Sequence, residues 1–242
     1  MSEVIKPYKD SQAGKKEQVT EMFDNISGNY DIMNRVITFG MDQGWRKKVH
    51  RLVTEKGSKS VLDVATGTGD MAFMYAKSDL TEITGLDIST GMLDVARKRS
   101  TKYGLDHRIN FLTGDAENLP FEDHRFDAVS VSYGIRNFGD LEKGLGEILR
   151  VLRPDGKLII LETSVPKSAL MRFGYGIHTK LFIPLVGRLF SKDKRAYSYL
   201  SNSAHVFPYG EELKQILLGV GYSSVEVMPQ AGGISTIYKA LK

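Results

Sequence analysis

A chain of 242 residues, 41% hydrophobic and 26% charged, is long enough to bury one substantial core and need not split into separate domains. The absence of cysteine excludes disulfides and thiolate metal sites, and no stretch approaches the roughly 20 apolar residues that a membrane span requires. A net charge of +4 is mild, and residues 1–6 lack the apolar run of a secretory signal, so a cytoplasmic protein is expected.

The first residues are polar. Helical spacing begins near Lys16, with Val19, Met22, Phe23 and Ile26 on one face. The stretch Ser27–Gly44 reads as a loop region, and a second helix is predicted from about Trp45 to Glu55. Residues 1–58 are thus expected to form an N-terminal helical lid. From Ser60 onward strands and helices alternate, the pattern of a doubly wound α/β fold with a parallel sheet, and residues 59–165 are taken as its cofactor-binding core.

The first strand runs into Val61-Leu62-Asp63-Val64-Ala65-Thr66-Gly67-Thr68-Gly69-Asp70. An apolar run delivers a carboxylate and then breaks into a small-residue loop that opens a helix. Doubly wound sheets bind their ligands at such carboxyl ends, and the glycines let a ligand come close to the backbone. Gly67 to Ala72 formally fits the dinucleotide pattern G-x-G-x-x-G/A, a weak signal on its own. Asp63 decides against a diphosphate, which it would repel, and in favour of the ammonium group of S-adenosylmethionine.

Two further runs end the same way. Ile83–Ile88 places Asp87 about as far beyond the loop as the acid that binds ribose hydroxyls, and Ser89 is a natural cap for the next helix. Ile109–Gly114 ends at Asp115-Ala116, where an acid accepts adenine amino hydrogens and a small residue leaves room for the ring. Phe126–Ser132 is the fourth strand, and Leu141, Leu145, Ile148, Leu149 and Leu152 mark an amphipathic helix. Arg153-Pro154-Asp155-Gly156 stops that helix, and Lys157–Glu162 is the fifth strand.

An insertion of about forty residues, 166–208, follows. Met171, Phe173, Tyr175, Phe182, Leu185 and Phe190 are interleaved with Arg172, Lys180, Arg188, Lys192, Lys194 and Arg195. Such a composition suits an apolar cover and transient docking on an anionic membrane. Residues 209–242 close the chain with a helix at Glu211–Val220, capped by Gly221, and strands at Ser224–Met228 and Ser235–Ala240. The five histidines share no metal-ligand spacing, and no metal is expected.

Several runs resemble one known family over nearly the whole length. These are Tyr30-Asp31-Ile32-Met33-Asn34 with Gly40 and Trp45-Arg46, Ser132-Tyr133-Gly134-Ile135-Arg136-Asn137, Arg150–Gly156 running to Glu162-Thr163-Ser164, and the later Ala196-Tyr197, Phe207-Pro208 and Gly232–Ile234. They are similar to the ubiquinone/menaquinone biosynthesis C-methyltransferases. The resemblance implies a Rossmann-like, class I S-adenosylmethionine-dependent methyltransferase sheet. It implies methyl transfer to a ring carbon of a polyprenylated quinol, foremost a naphthoquinol of the menaquinone route, with a benzoquinol of the ubiquinone route as the alternative. Asp63, Gly67, Thr68, Gly69, Asp87, Asp115, Ala116 and Ser132 would hold the cofactor. Arg136 and Asn137, facing the methyl donor, and Tyr30 on the lid would serve the chemistry. The insertion would cover ring and tail, and a homodimer is compatible with the pattern.

The chain departs from that pattern at four places. Ala65 stands for the loop's first glycine, a change expected to need negative φ. Thr38 and Asp42 replace a serine and a histidine, so no histidine base is assigned there, and Asp155 replaces a glycine. Three other readings fit a chain of this kind: a same-fold methyltransferase for an unrelated small molecule, a non-catalytic membrane or partner-binding module, and a nucleic-acid methyltransferase. The last lacks its Asn/Asp-Pro-Pro-aromatic motif after strand four, where Ser132-Tyr133-Gly134 stands instead, and no nucleic-acid partner is expected.

Overall fold

Short runs of β-branched and apolar residues, buried on both faces, build the centre of the molecule, as parallel strands under crossover helices require. A computed structural model describes residues 5–8, 10–182, 185 and 193–242. Seven strands form one sheet: β1 Ser60–Val64, β2 Glu82–Asp87, β3 Asn110–Thr113, β4 Phe126–Ser132, β5 Leu152–Thr163, β6 Ser224–Gln230 and β7 Ser235–Leu241. Their order is β3-β2-β1-β4-β5-β7-β6, and β7 runs opposite to the other six. The order reverses between β1 and β4, which is where such sheets open a crevice at their carboxyl ends.

Helices α3 (Asp42–Thr54), α4 (Asp70–Tyr75) and α5 (Thr90–Tyr103) pack a core on one face of the sheet. Helices α6 (Leu141–Val151) and α9 (Glu211–Val220) pack the core on the other. Ser89 caps α5 by accepting the Met92 N–H, and Gly221, at φ 118°, ends α9. A third core lies outside the sheet. There Val19, Met22 and Ile26 of α1 (Lys15–Ile26) and Met33 of α2 (Tyr30–Ile37) meet Met92 of α5 and Ala196, Tyr197 and Tyr199 of α8 (Lys194–Val206). The N-terminal helices and the insertion therefore share one apolar cluster. In the insertion, α7 (Ala169–Ile177) precedes α8; the basic Arg188 and Lys192 and the aromatic Phe190 lie outside the described residues.

Three expectations are corrected. The Ser27–Gly44 stretch is not a loop but contains α2, whose Ile32, Met33, Val36 and Ile37 follow helical spacing in a run of only eight residues, short enough to be passed over between Gly28 and Gly40. Helix α2 closes with paired bonds, Gly40 N–H to Arg35 O and Phe39 N–H to Val36 O, around a left-handed Phe39 at φ 51°. The Pro154–Gly156 turn lies inside β5, which starts at Leu152 and absorbs the turn as a register shift against β4. Ala65 has φ 53°, not a negative value, and Asp155 has φ 62°. Both positions take the left-handed backbone that explains a glycine there. Gly134 accommodates Ala65, because a Cβ on residue 134 would come within 2.5 Å of the Ala65 methyl.

Candidate active site

The carboxyl ends of β1, β2 and β4 open into a cavity of about 80 Å³, roofed by Lys16, Val19 and Phe23 of α1 and by Tyr30 of α2. Asp87, Asp115, Ala116, Gly67, Ser132 and Asn137 line it. Asp87 accepts the Gly67 N–H at 2.7 Å through Oδ2 and the Ser89 N–H at 2.9 Å through Oδ1. Those bonds fix the carboxylate across the loop, and each oxygen keeps a lone pair for a further donor. Burial pushes the Asp87 carboxyl up to about 6, against the pull of the backbone donors. Burial also raises Asp115, but the Lys16 ammonium at 2.5 Å and the Glu117 N–H reverse this and hold it below its ordinary value. Because α1 supplies Lys16, the roof is tied to the floor at this point.

Asp63 does not line that cavity. It is 1% exposed beneath the loop, where Thr66 and Ser130 each donate a hydroxyl to it at 2.6 Å. Burial pushes its carboxyl up to about 6, with those hydroxyls and Arg46 opposing. Asp63 instead borders a small polar cavity of about 30 Å³ with Asp31, Arg46, Thr68 and Asp70. Tyr30, Ala65, Gly67 and Ser132 line both spaces, so the two adjoin. Thr68 donates to Asp31 at 2.5 Å, and Arg99 grips Asp31 at 2.8 Å, Asp70 at 2.7 Å and the Thr68 carbonyl at 2.9 Å. Asp24 of α1 accepts from the Ser89 hydroxyl at 2.6 Å and the Gly91 N–H at 2.8 Å. Two lid carboxylates are thus latched to the loop and to the start of α5. Gly69, at φ 87°, lines neither cavity; it packs on Phe73 and Phe111 and sets the turn into α4.

A larger, mostly apolar cavity of about 310 Å³ lies beyond Tyr30 and Tyr133, which border both it and the first cavity. Its walls come from α2, α3, the end of β4, α7 and α8, and include Met41, Trp45, Tyr175 and Leu200. Arg136, expected to stand with Asn137 toward the methyl donor, reaches this second cavity, while Asn137 lines the first. Its Nη1 donates to Glu162 Oε1 at 2.6 Å and to the Tyr133 carbonyl at 2.9 Å. Its buried Nε has no hydrogen-bond partner among the described residues. Asn137 accepts the Tyr199 hydroxyl at 3.2 Å. Burial raises the Tyr30 phenol, with Asn34 and the Arg136 charge opposing, so Tyr30 stays protonated at neutral pH. Thr38 donates to Asp42 at 2.9 Å, and Asp42 pairs with Arg46 at 3.3 Å. The two departures in the N-terminal signature therefore bond to each other on the wall of this cavity.

Three residues escaped sequence reasoning: Arg46, which borders the second and third cavities; Glu162, which holds Arg136; and Arg99, which holds the lid. Arg46 and Glu162 fell within the resembling runs, but spacing gave neither a role. Arg99 looked like one of several basic residues on a helix.

Comparison with known proteins settles the family. The model of the ubiE/COQ5 methyltransferase family matches residues 11–242. The chain belongs to that family. It is 44% identical to a demethylmenaquinone methyltransferase of Bacteroides fragilis, with 99% of this chain and 98% of the relative covered. It is 37% identical to a ubiquinone/menaquinone biosynthesis C-methyltransferase of Geotalea daltonii, over 94% of this chain and 97% of that one. In fold it is similar to a S-adenosylmethionine-dependent methyltransferase of Thermotoga maritima, with a TM-score of 0.64, 20% identity and 92% and 99% of the two chains covered. The protein is an S-adenosylmethionine-dependent methyltransferase. The first cavity fits that donor. Asp87 has lone pairs for a diol, Ser132 Oγ is buried without a partner among the described residues, and Gly114 lets the chain pass close over Leu86, where a Cβ would come within 2.7 Å of that side chain.

Proposed function

We propose that this methyltransferase converts demethylmenaquinol to menaquinol, with the cofactor in the first cavity and the naphthoquinol in the second. The reading rests on one observation: an apolar cavity meets the cofactor cavity across a wall shared by Tyr30 and Tyr133, with a buried guanidinium on its far side. Bound in the first cavity, S-adenosylmethionine supplies an electrophilic methyl group. Asp87 takes the ribose hydroxyls, and Asp115 with Ala116 takes the adenine. Asp63 holds Thr66 and, with Thr68 and Gly67, shapes the methionine end.

The quinol ring must be reduced, because hydroxyl oxygens feed electron density to the attacked carbon and quinone carbonyls withdraw it. Tyr30 and Tyr133 orient the ring; such orientation is worth roughly 7–11 kcal/mol, more than the factor of about 10²–10⁴ from proton transfer. Arg136 stays protonated and acts as a hydrogen-bond donor to the developing phenolate, not as a base. Asn137 holds the Tyr199 hydroxyl beside it. The insertion covers the polyprenyl tail, and the protein meets the membrane peripherally; among the described residues no helix is long and apolar enough to cross one.

Arg136 provides the test. Replacing it leaves Glu162, 1% exposed, as an unpaired buried charge, which typically costs about 3–5 kcal/mol. Arg136→Ala is therefore made together with Glu162→Gln. The expected result is a fall in kcat of about 10²–10³, the usual loss of one preorganised donor, with S-adenosylmethionine affinity unchanged. Arg136→Lys restores part of the rate, since a point charge lacks the planar fork. A folded, cofactor-binding double variant with the normal rate removes Arg136 from the chemistry. Demethylmenaquinol and a demethylated benzoquinol, assayed side by side under reducing conditions, decide the substrate.

A further inference from the structure

Helix α7 presents two apolar faces, one to the second cavity and one to solvent. Gly174, Tyr175 and, just past its end, His178 line the second cavity. On the other side Leu170, Phe173 and Ile177, spaced to share one helix face, are 81%, 71% and 46% exposed, and Leu181 beyond them is 67% exposed. The helix contains no acidic residue. The stripe continues across the cavity rim to Phe39, which is 67% exposed and stacks on Phe182 at 5.3 Å and against His178 at 5.6 Å. Phe39 holds its place with a left-handed backbone, a conformation unfavourable for a bulky side chain. An exposed apolar band of this kind on a folded domain marks an interaction surface.

Charge names the partner. Residues 166–195 hold seven of the chain's 33 Lys and Arg and only one of its 29 Asp and Glu, so the chain outside this segment is net negative. Among the described residues, Lys167 just before α7 and Arg172 within it are exposed, and a two-fold dimer through this helix would set their charges against the same charges of the other copy. An anionic bilayer matches both features: apolar side chains enter the acyl boundary, and the basic residues meet the headgroups.

We propose that the exposed face of α7, with Leu181 and Phe39, is a docking surface for anionic lipid that sets the mouth of the second cavity on the bilayer. The inference rests on the quinol reading for its purpose, but not for its test. The triple variant Leu170→Ser, Phe173→Ser, Leu181→Ser touches no residue that lines a cavity. Full-length wild-type protein is expected to co-sediment with phosphatidylcholine vesicles containing phosphatidylglycerol, less so at high salt, and poorly with phosphatidylcholine alone. The triple variant, with an unchanged melting temperature, is expected to lose ten-fold or more of that binding. It should methylate a tail-free demethylated naphthoquinol at the wild-type rate and fail only with long-tailed quinol embedded in vesicles.

Wild-type protein that ignores anionic vesicles, or a triple variant that binds them equally well, overturns the proposal. So does a wild-type dimer, seen by sedimentation velocity, that the three serines convert to monomer without any vesicle binding. If vesicle binding follows the stripe but no quinol is methylated, the substrate reading fails and the docking surface stands.

Discussion

Burial pushes both Asp63 and Asp87 up to about 6, and among the described residues neither bonds to a cationic side chain. A bound sulfonium and ammonium favour the ionised carboxylates, so the cofactor lowers both values. Affinity for S-adenosylmethionine is therefore full above about pH 7 and falls as the pH drops through about 6, by up to roughly ten-fold per unit for each proton taken up. The same two groups act on the free protein with the opposite sign. Their raised folded values mean that their stabilising contribution is complete below the unfolded value of 3.8 and is lost as the pH rises through about 6. Calorimetric titration between pH 5 and 8 checks the affinity, and Asp87→Asn should flatten part of the curve. A flat wild-type profile from pH 5 to 7 would place both carboxylates away from the cofactor's charge.

At the scale of elements, the lid is held by few bonds at strategic points. Arg99 on α5 joins Asp31 of α2 to Asp70 at the start of α4, and Asp24 of α1 caps α5 through Ser89 and Gly91. The Arg99 side chain is 20% exposed, so each of its ion pairs contributes modestly to global stability, on the order of 1 kcal/mol or less. Its effect on the lid is larger, because α2 buries only Met33 of its eight residues. Arg99→Ala is expected to leave the melting temperature within a few degrees of wild type. It should raise amide exchange across 30–37 and speed cofactor dissociation several-fold in stopped-flow displacement. Exchange in 30–37 unchanged by this substitution would show that the apolar contacts of the third core alone hold the lid.

At the scale of the whole molecule, the helices that roof the first cavity pack in turn on a segment from far along the chain. Residues of α1 and α2 share the third core with Met92 and with residues of α8 that lie about 160–180 positions further along the chain. Ligand in the first cavity touches the lid and the sheet at once, so it binds the folded state alone and stabilises it by mass action. At a hundred-fold excess over Kd the gain is about 2.7 kcal/mol. At roughly 2–4 °C per kcal/mol for a chain of this size, the expected rise in Tm is about 5–10 °C. Thermal unfolding with and without S-adenosylmethionine measures it, and a shift near zero at saturation would contradict binding beneath the lid.

The strand-end acids Asp63, Asp87 and Asp115, the Ser89 and Gly221 caps and the alternation of strands and helices were legible in the sequence, because each is a local signal. Apolar period, turn residues and caps act within a few neighbours, and the strands they predict fall within a few residues of those observed. Helix α2 was missed although Ile32, Met33, Val36 and Ile37 follow helical spacing, because the run is eight residues long and packs only Met33 into the core. The left-handed Ala65 was not legible, because only the bare Gly134 opposite makes room for its methyl. Only the tertiary structure separated Arg136 from Asn137, neighbours in sequence that line two different cavities. It alone paired Arg136 with Glu162, 26 positions away, and set Asp63 under the loop and not in its mouth. Such assignments depend on which faces of distant segments meet in the packed core, and no local pattern of residues specifies that.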